Sequence, residues 1–325
     1  LGILFFVSCK DKKQYYEESG TVFHTLYTIK YEAPHILTDK IDAELQKFNL
    51  SLNPFNPNSI IAKVNNNEAV EVDEWFTEVF NKSMEVSRNS DGVFDITCAP
   101  LVNLWGFGFN KKDSVTPAMI DSLKTFVGYR KVHLEGKKVV KDDPRLLLNC
   151  SAIAKGYSCD VIARLLEKEG VENYMILIGG EVVVKGVNQN GVCWRTGINL
   201  PEDDPDGIKN NYDEIVQLCK KGAIATSGNY RNFYIKDGKK YAHTIDPRTG
   251  YPAEQSVLSA TIVANDCMTA DAYATAFMAM GLEKARQMAD SLPEIEYYVI
   301  YADENGKHQI EYSKGMLQYL PKRKQ

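Results

Sequence analysis

Strand and helix patterns follow one another along this chain without a regular strand–helix–strand alternation. Alternating apolar and polar residues, the pattern of half-buried strands, dominate after residue 170. Amphipathic helices are predicted to begin at Thr38, Asp73, Thr116, Ser151, Asp266 and Leu282. Runs of both kinds without a βαβ rhythm favour an α+β fold, with mostly antiparallel or mixed sheets and packed helices.

Composition limits the classes of function. Of the 325 residues, 44% are hydrophobic, which is enough for a substantial core. The formal net charge of −5 provides no general attraction to nucleic acid, so no nucleic-acid partner is expected. No uninterrupted apolar run reaches ~18 residues, so no membrane-spanning helix is expected. Residues 20–325 contain no visible repeat or linker and are predicted to form a single domain.

The N-terminal segment has the composition of a bacterial lipoprotein signal. Residues 1–9 form an apolar run that closes on Ser8 and Cys9, and residues 10–19 are polar. This order predicts a truncated secretory signal ending at Cys9, a lipid on that cysteine and a polar tether. A buried strand with a chance cysteine is the alternative. On the first interpretation, the protein is exported and its lipid anchors it to the periplasmic side of a bacterial membrane.

Six further cysteines show no metal-binding spacing. They are Cys98, Cys150, Cys159, Cys193, Cys219 and Cys267. None forms a C-x-x-C pair or stands with histidine at the spacing of zinc ligands. Several lie in apolar runs, so buried thiols are expected more than disulfides, although an exported location would permit disulfides.

A short turn of small residues precedes one of the predicted helices. Residues 149–157 read Asn-Cys-Ser-Ala-Ile-Ala-Lys-Gly-Tyr. The free N–H groups in the first turn of a helix suit a phosphate group, and Lys155 adds a positive charge. Alone, the pattern is more typical of a helix that packs closely through Ala and Gly.

Two further motifs bring together polar groups of the kinds used in catalysis. Residues 243–252 place His243 and Asp246 in one turn, and histidine readily accepts a proton near neutral pH. Asp271 and Thr275 stand one helical turn apart, so their oxygens face one way as a pair of hard ligands suited to Mg²⁺. Taken singly, Asp246 is also typical of a turn residue. The alanine-rich helix that carries Asp271 and Thr275 is, by itself, also typical of a helix that packs closely through small residues.

Aromatic residues surround a fourth motif. Residues 90–97 and 104–108 combine glycine turns, aromatic rings and the carboxylate of Asp95. With Phe23 and Phe55 they offer flat apolar surface and hydrogen-bond acceptors, as a ring system with a polar edge requires. Individually, such aromatic residues are more often part of a core.

Together these segments resemble the bacterial flavin transferases of the ApbE type. The matching blocks occur in the family's order, at residues 20–27, 50–65, 92–106, 151–160, 179–181, 226–230, 243–252 and 270–281. Several of them, such as H-T-I-D-P-R-T-G-Y-P, are rare strings. The family's frequent export as lipoproteins agrees with the prediction for Cys9.

The resemblance implies an enzyme that transfers FMN from FAD to a threonine hydroxyl of an acceptor protein, such as a redox-complex subunit, and releases AMP. It also implies Mg²⁺ held by Asp271, Thr275 and the backbone carbonyl of Ala152, with His243 as the catalytic base. The positions expected to bind the flavin nucleotide are Phe23, Phe55, Val93, Phe94, Asp95, Asn149, Lys155 and Ile245. Three of the chain's residues depart from the usual pattern: Asn149 replaces Asp, Phe23 replaces Met and His24 replaces Gly.

Two other functions would use the same residues. An FAD pyrophosphatase would replace threonine with water and yield FMN and AMP at the same metal site. A non-catalytic flavin-binding lipoprotein would have no need of the Asp271–Thr275 pair or of His243, which favours an enzyme.

Overall fold

The computed structural model describes residues 13–107, 115–202, 211–230, 233–236, 239–242, 244–253 and 256–321. Its helices are α1 (Thr38–Leu52), α2 (Ile60–Asn65), α3 (Glu74–Asn89), α4 (Ala99–Leu104), α5 (Pro117–Lys124), α6 (Ala154–Lys168), α7 (Cys267–Met280) and α8 (Leu282–Asp290). Its strands are β1 (Gln14–Val22), β2 (Thr25–Ala33), β3 (Val132–Glu135), β4 (Lys138–Lys141), β5 (Tyr174–Ile178), β6 (Glu181–Lys185), β7 (Trp194–Asn199), β8 (Tyr212–Leu218), β9 (Gly222–Gly228), β10 (Phe233–Lys236), β11 (Lys239–Ala242), β12 (Ile245–Asp246), β13 (Tyr251–Pro252), β14 (Val257–Ala264), β15 (Ile295–Ala302) and β16 (His308–Tyr312). No helix in these ranges is long and apolar enough to cross a membrane.

Eight of these strands form one sheet. Its order is β1-β2-β5-β6-β9-β14-β15-β16, and every neighbouring pair runs antiparallel. The other described strands form antiparallel pairs, β3-β4, β7-β8, β10-β11 and β12-β13. The predicted α+β fold is confirmed, and its sheets are antiparallel rather than mixed.

Different elements cover the two faces of the large sheet, because side chains alternate along each strand. Ile262 of β14 joins the core that contains α1, α3 and α7. Its neighbour Val263 packs on the opposite face, against Trp194 and Leu218 of the β7-β8 pair. Helices α1, α3, α6, α7 and α8 therefore pack on one side of the sheet and the β7-β8 pair on the other.

Helix α7 lies in the middle of the helical layer. It packs against α6 and the strands β9 and β14, and alanines occupy much of its surface. The Asp266 side chain caps it by accepting a hydrogen bond of 2.8 Å from the Thr269 N–H. At Gly156 of α6 a Cβ would lie 2.2 Å from the Cys267 carbonyl oxygen. The two helices therefore meet backbone to backbone, and only glycine fits there.

The N-terminal polar segment is shorter than the sequence predicts. Strand β1 begins at Gln14, so residues 14–19, expected to belong to the tether, are part of the sheet. β1 lies at the edge of the sheet, where polar side chains can face solvent. Polar composition alone therefore could not distinguish this strand from a tether. Cys9 and the expected signal lie outside the described residues.

Two stretches have structures that differ from what their composition suggests. The Asn-, Pro- and Ser-rich stretch 49–67 has a composition typical of a loop, but it contains the end of α1 and all of α2. Ser59 caps α2 by accepting from the Ala62 N–H at 3.1 Å. The apolar stretch 173–187 has a pattern typical of one long strand, but it forms two antiparallel strands. Gly179 and Gly180, with φ of 67° and 112°, form the turn between them.

The cysteine prediction is confirmed for four residues and wrong for two. Cys98, Cys150, Cys159 and Cys267 are buried free thiols. Cys193 and Cys219 form a disulfide beside the β7-β8 pair. Both lie just outside the ends of paired strands, and only that pairing brings them together.

Candidate active site

A cavity of about 500 Å³ opens where α7, the first turn of α6, β9 and β12 meet. Ten residues that the sequence assigned to a site line it: Phe55, Val93, Phe94, Asp95, Asn149, Ala152, Lys155, Ile245, Asp271 and Thr275. They come from five separate segments of the chain. The fold thus brings the four sequence motifs to one place.

One assigned residue, Phe23, is not among the described residues that line the cavity. The Phe23 ring is half-buried and packs against the core at Phe48, with ring centroids 5.2 Å apart. His243 lies outside the described residues. Its neighbours in sequence, Thr244 and Ile245, line the cavity.

Three charged side chains form a cluster where α6 crosses α7. The Lys155 Nζ lies 2.5 Å from Glu181 Oε1 and 3.7 Å from Asp271 Oδ1. Burial by itself would lower the pKa of Lys155, but the Asp271 and Glu181 carboxylates outweigh burial and raise it. The lysine is therefore held in its charged form, beside two carboxyl groups that it cannot neutralise alone.

The Asp271 carboxylate is fixed by the close approach of the two helices. Its Oδ2 accepts a hydrogen bond of 2.9 Å from the Gly156 N–H. One turn further along α7, the Thr275 hydroxyl lies 3.2 Å from the Ser227 hydroxyl of β9. These oxygens, with the backbone of Ala152 in the same cavity wall, are the hard donors that Mg²⁺ prefers.

The donor set contains a single carboxylate. Within the described ranges, no three side chains of His, Cys, Asp or Glu cluster as a metal site. A cation held by one carboxylate and neutral oxygens keeps positions free for water or for substrate phosphate. The residues present therefore fit a Mg²⁺ ion that binds together with a phosphate-containing substrate.

Glu181 was not assigned a role from the sequence, although its Gly-Gly-Glu string belongs to the resemblance. Its Oε1 accepts from Lys155, whereas its Oε2 is buried without a hydrogen-bond partner in the part of the chain that the structure describes. Burial raises the pKa of this carboxyl, against the effect of Lys155. A buried oxygen left unsatisfied is costly, so this atom also fits a site that a ligand completes.

Hydrogen bonds to side-chain and backbone acceptors tie the loops around the cavity together. Asn149 Oδ1 accepts from the Ser151 N–H at 2.8 Å, and the Asn149 N–H donates to the Ile96 carbonyl at 2.7 Å. Asp95 accepts from the Thr97 N–H and from the Tyr129 N–H, each at 2.7 Å. Burial raises the pKa of Asp95, whereas these hydrogen bonds lower it. The Asp95 carboxylate therefore organises its own loop.

The turn after β12 is held by an ion pair. Arg248 pairs with Asp246 through two bonds, Nε to Oδ1 at 3.0 Å and Nη2 to Oδ2 at 2.9 Å. The Trp105 indole N–H donates to the Gly250 carbonyl at 2.8 Å and fastens the turn to the end of α4. Asp246 thus shapes the turn, which is the alternative that the sequence left open.

Comparison with known proteins places these features in one family. A model of the ApbE family matches residues 23–299. An FAD:protein FMN transferase of Vibrio cholerae is 35% identical over 300 residues, which are 89% of this chain and 88% of that protein. The solved structure of a flavin transferase ApbE from Vibrio cholerae matches with a TM-score of 0.85 at 34% identity, over 95% of this chain and 100% of that one. A flavinyl transferase ApbE from Pseudomonas stutzeri, in its apo form, matches with a TM-score of 0.83 at 26% identity, over 95% and 97% of the two chains.

Proposed function

This chain belongs to the ApbE family, and we propose that it transfers FMN from FAD to a threonine hydroxyl of an acceptor protein, with Mg²⁺ bound in the cavity. The Vibrio cholerae relative described above is an FAD:protein FMN transferase that matches 89% of this chain, and this chain is an enzyme of that class. The observation that carries the proposal is the convergence of Lys155, Asp271 and Thr275 in a cavity with aromatic walls.

Asp271, Thr275 and the Ala152 carbonyl are the proposed Mg²⁺ ligands. When bound, the ion supplies the charge neutralisation that phosphoryl transfer requires. The Gly156 N–H already holds the Asp271 carboxylate, so little reorganisation is needed for binding. Lys155 adds a second positive charge for the pyrophosphate of FAD, and Phe55, Val93 and Phe94 offer apolar surface to its rings.

In the proposed transfer, the threonine oxygen forms a bond to the FMN phosphorus of FAD, and the phosphoanhydride bond to AMP breaks. His243 accepts the hydroxyl proton, and AMP leaves with the bridging oxygen. The position of His243 directly before two cavity-lining residues supports this role. A base in this position acts on the acceptor and is not needed for recognition of the flavin.

The direct test of this function is transfer to an acceptor. Purified protein is incubated with FAD, Mg²⁺ and a threonine-bearing subunit of a redox complex, and intact-protein mass and released AMP are measured together. We expect an FMN adduct on the acceptor, one AMP for each adduct, and no adduct when the acceptor threonine is replaced by valine. Release of AMP and free FMN without any adduct would contradict the transferase and indicate a pyrophosphatase.

We also propose that the protein is exported and lipid-anchored through Cys9. The Cys193–Cys219 disulfide supports export, because structural disulfides persist mainly in oxidising compartments. Mass spectrometry of protein extracted from membranes should show a lipid on Cys9 that is missing from Cys9→Ser. A native protein with an unmodified Cys9 would contradict the anchor.

A further inference from the structure

The hairpin turn between β1 and β2 has an unusual backbone for the residues it contains. Val22 pairs with Thr25, so the turn consists of Phe23 and His24 alone. Their φ angles are 50° and 59°, and positive φ at both positions is typical of a type I′ turn. Asn and Gly are preferred in such turns, because larger side chains are strained in the left-handed region.

The two turn residues have different neighbours. Phe23 is half-buried and packs against the core at Phe48. His24 is exposed, and its ring meets that of Phe55 with centroids 5.8 Å apart and an interplanar angle of 82°. Phe55 lines the cavity and is 50% exposed, so it lies at the cavity mouth. The imidazole of His24 therefore extends the aromatic wall outward from the cavity.

We propose that His24 is a substrate-binding residue, whose ring forms with Phe55 an aromatic corner that holds a planar ring of FAD at the cavity mouth. Two rings at nearly a right angle let a flat ligand stack on one ring while its edge meets the face of the other. A strained backbone at a binding position is retained when the side chain that it presents is needed. The inference rests on the proposed function, since it requires FAD in the cavity.

FAD carries two planar rings, isoalloxazine and adenine, and the chemistry of the corner suits either. FMN carries only the first and AMP only the second. Binding of FMN and AMP, measured separately, therefore shows which ring the corner holds.

The test measures binding of FAD, FMN and AMP to the whole protein by calorimetry, and the thermal midpoint of each variant. His24→Gly should raise the midpoint, because glycine relieves the turn, yet weaken FAD binding by about five- to tenfold. His24→Asn tolerates the left-handed backbone but has no ring, and should weaken FAD binding similarly. His24→Phe restores a ring and should bind FAD nearly as the wild type does. The ligand whose ring lies in the corner, FMN or AMP, should lose affinity by the same factor as FAD.

Asn67→Gly is the control for a change to glycine at a left-handed position away from the cavity. Asn67 also has positive φ, of 59°, is exposed and does not line the cavity, so FAD binding should be unchanged. If His24→Gly binds FAD as tightly as the wild type, or if a folded His24→Phe fails to restore binding, the inference is overturned. In either case normal FAD binding by the wild type leaves the proposed function standing. A wild type that binds no FAD would overturn both.

Discussion

Asp271 makes two interactions that bear on its proposed role as a metal ligand. One of its oxygens accepts from Gly156, and the other lies 3.7 Å from the Lys155 ammonium. The carboxylate is 3% exposed, so its charge is not screened by water. A cation that enters the cavity would therefore meet an already oriented, poorly screened ligand.

Asp271→Asn should abolish Mg²⁺ binding and FMN transfer while the protein stays folded. The amide keeps an oxygen that can accept from Gly156 but removes the charge that holds the cation. Calorimetric titration with Mg²⁺ and the mass assay for transfer check the two effects. Asp121→Asn, on the exposed face of α5, is the control and should change neither. Transfer by Asp271→Asn at the wild-type rate, or by the wild type in EDTA, would contradict the metal site.

His243→Ala should lower the rate of FMN transfer by roughly 10²- to 10⁴-fold, the usual effect of losing a general base. FAD affinity should change little, because the base acts on the acceptor hydroxyl. Transfer by the wild type should fall at acid pH, since a protonated imidazole cannot accept the proton. Rates and FAD binding are measured side by side, with His308→Ala on the exposed end of the sheet as control. A combined loss of FAD affinity and stability would instead assign His243 to holding the turn.

Among the elements, the crossing of α6 and α7 positions the site. Lys155 belongs to the first helix, and Asp271 and Thr275 to the second. Asp160 of α6 accepts from the Cys267 N–H at 2.9 Å and from the Met268 N–H at 2.8 Å, which are free donors at the start of α7. This cap fixes α7 against α6, and so it fixes the distance between Lys155 and Asp271.

Asp160 should also make stability depend on pH. Burial raises its pKa from 3.8 to about 7, although the two N–H bonds oppose this change. The folded state holds the Asp160 proton more tightly than the unfolded state does. The contribution of this proton to the free energy of unfolding is therefore complete below about pH 4 and is lost as pH rises to about 7. The unfolding free energy of Asp160→Asn, measured in urea, should therefore fall less between pH 5 and 8 than that of the wild type. Burial also raises the pKa of Glu181, but this residue is present in both the wild type and Asp160→Asn. Parallel profiles of unfolding free energy against pH for the two proteins would therefore contradict the assignment to Asp160.

Gly156→Ala should separate the two helices and lower stability by about 3 kcal/mol, as overpacking of a tight contact does. The added methyl would lie 2.2 Å from the Cys267 carbonyl oxygen, a backbone atom that cannot move alone. Mg²⁺ affinity should fall with stability, because Asp271 would lose its Gly156 donor. Gly222→Ala is the control, since its added methyl would have its nearest neighbour at 3.7 Å. Similar urea midpoints and Mg²⁺ affinities for the two variants would contradict this account of the crossing.

Over the whole molecule, the large sheet separates the site from the disulfide. Helices and cavity lie on one face, and the β7-β8 pair packs on the other. The described part of that pair contributes no residue to the cavity. We therefore expect that mutations in the β7-β8 pair change stability without changing catalysis in the cavity on the opposite face.

The double variant Cys193→Ser/Cys219→Ser should lose about 3 kcal/mol of stability, because the bond closes a loop with a sequence separation of 26 residues. FMN transfer, measured well below the thermal midpoint, should be unchanged. Urea unfolding of the variant, and of the wild type with and without a reducing agent, checks the first effect. A variant as stable as the oxidised wild type, or one that is stable but inactive, would contradict this separation.

Local signals in the sequence determined several elements and much of the candidate site. Asp73 and Asp266 were predicted to start α3 and α7, and both cap their helices through bonds to N–H groups three residues on. The helical spacing of Asp271 and Thr275 placed both oxygens on one side, and both residues line the cavity. Capping and helical periodicity depend on residues within one or two turns, so one stretch of sequence contains all of their causes.

Tertiary structure decided what depends on distant partners. Residues 14–19 are polar, yet they form a strand because β2 is available to pair with them. Cys193 and Cys219 are brought together by strand pairing, and Glu181 meets Lys155 only because β6 passes beside the start of α6. Asp160 caps a helix that begins 107 residues later in the chain. Burial, pKa and long-range pairing are set by neighbours in space, and no single segment of the sequence contains those neighbours.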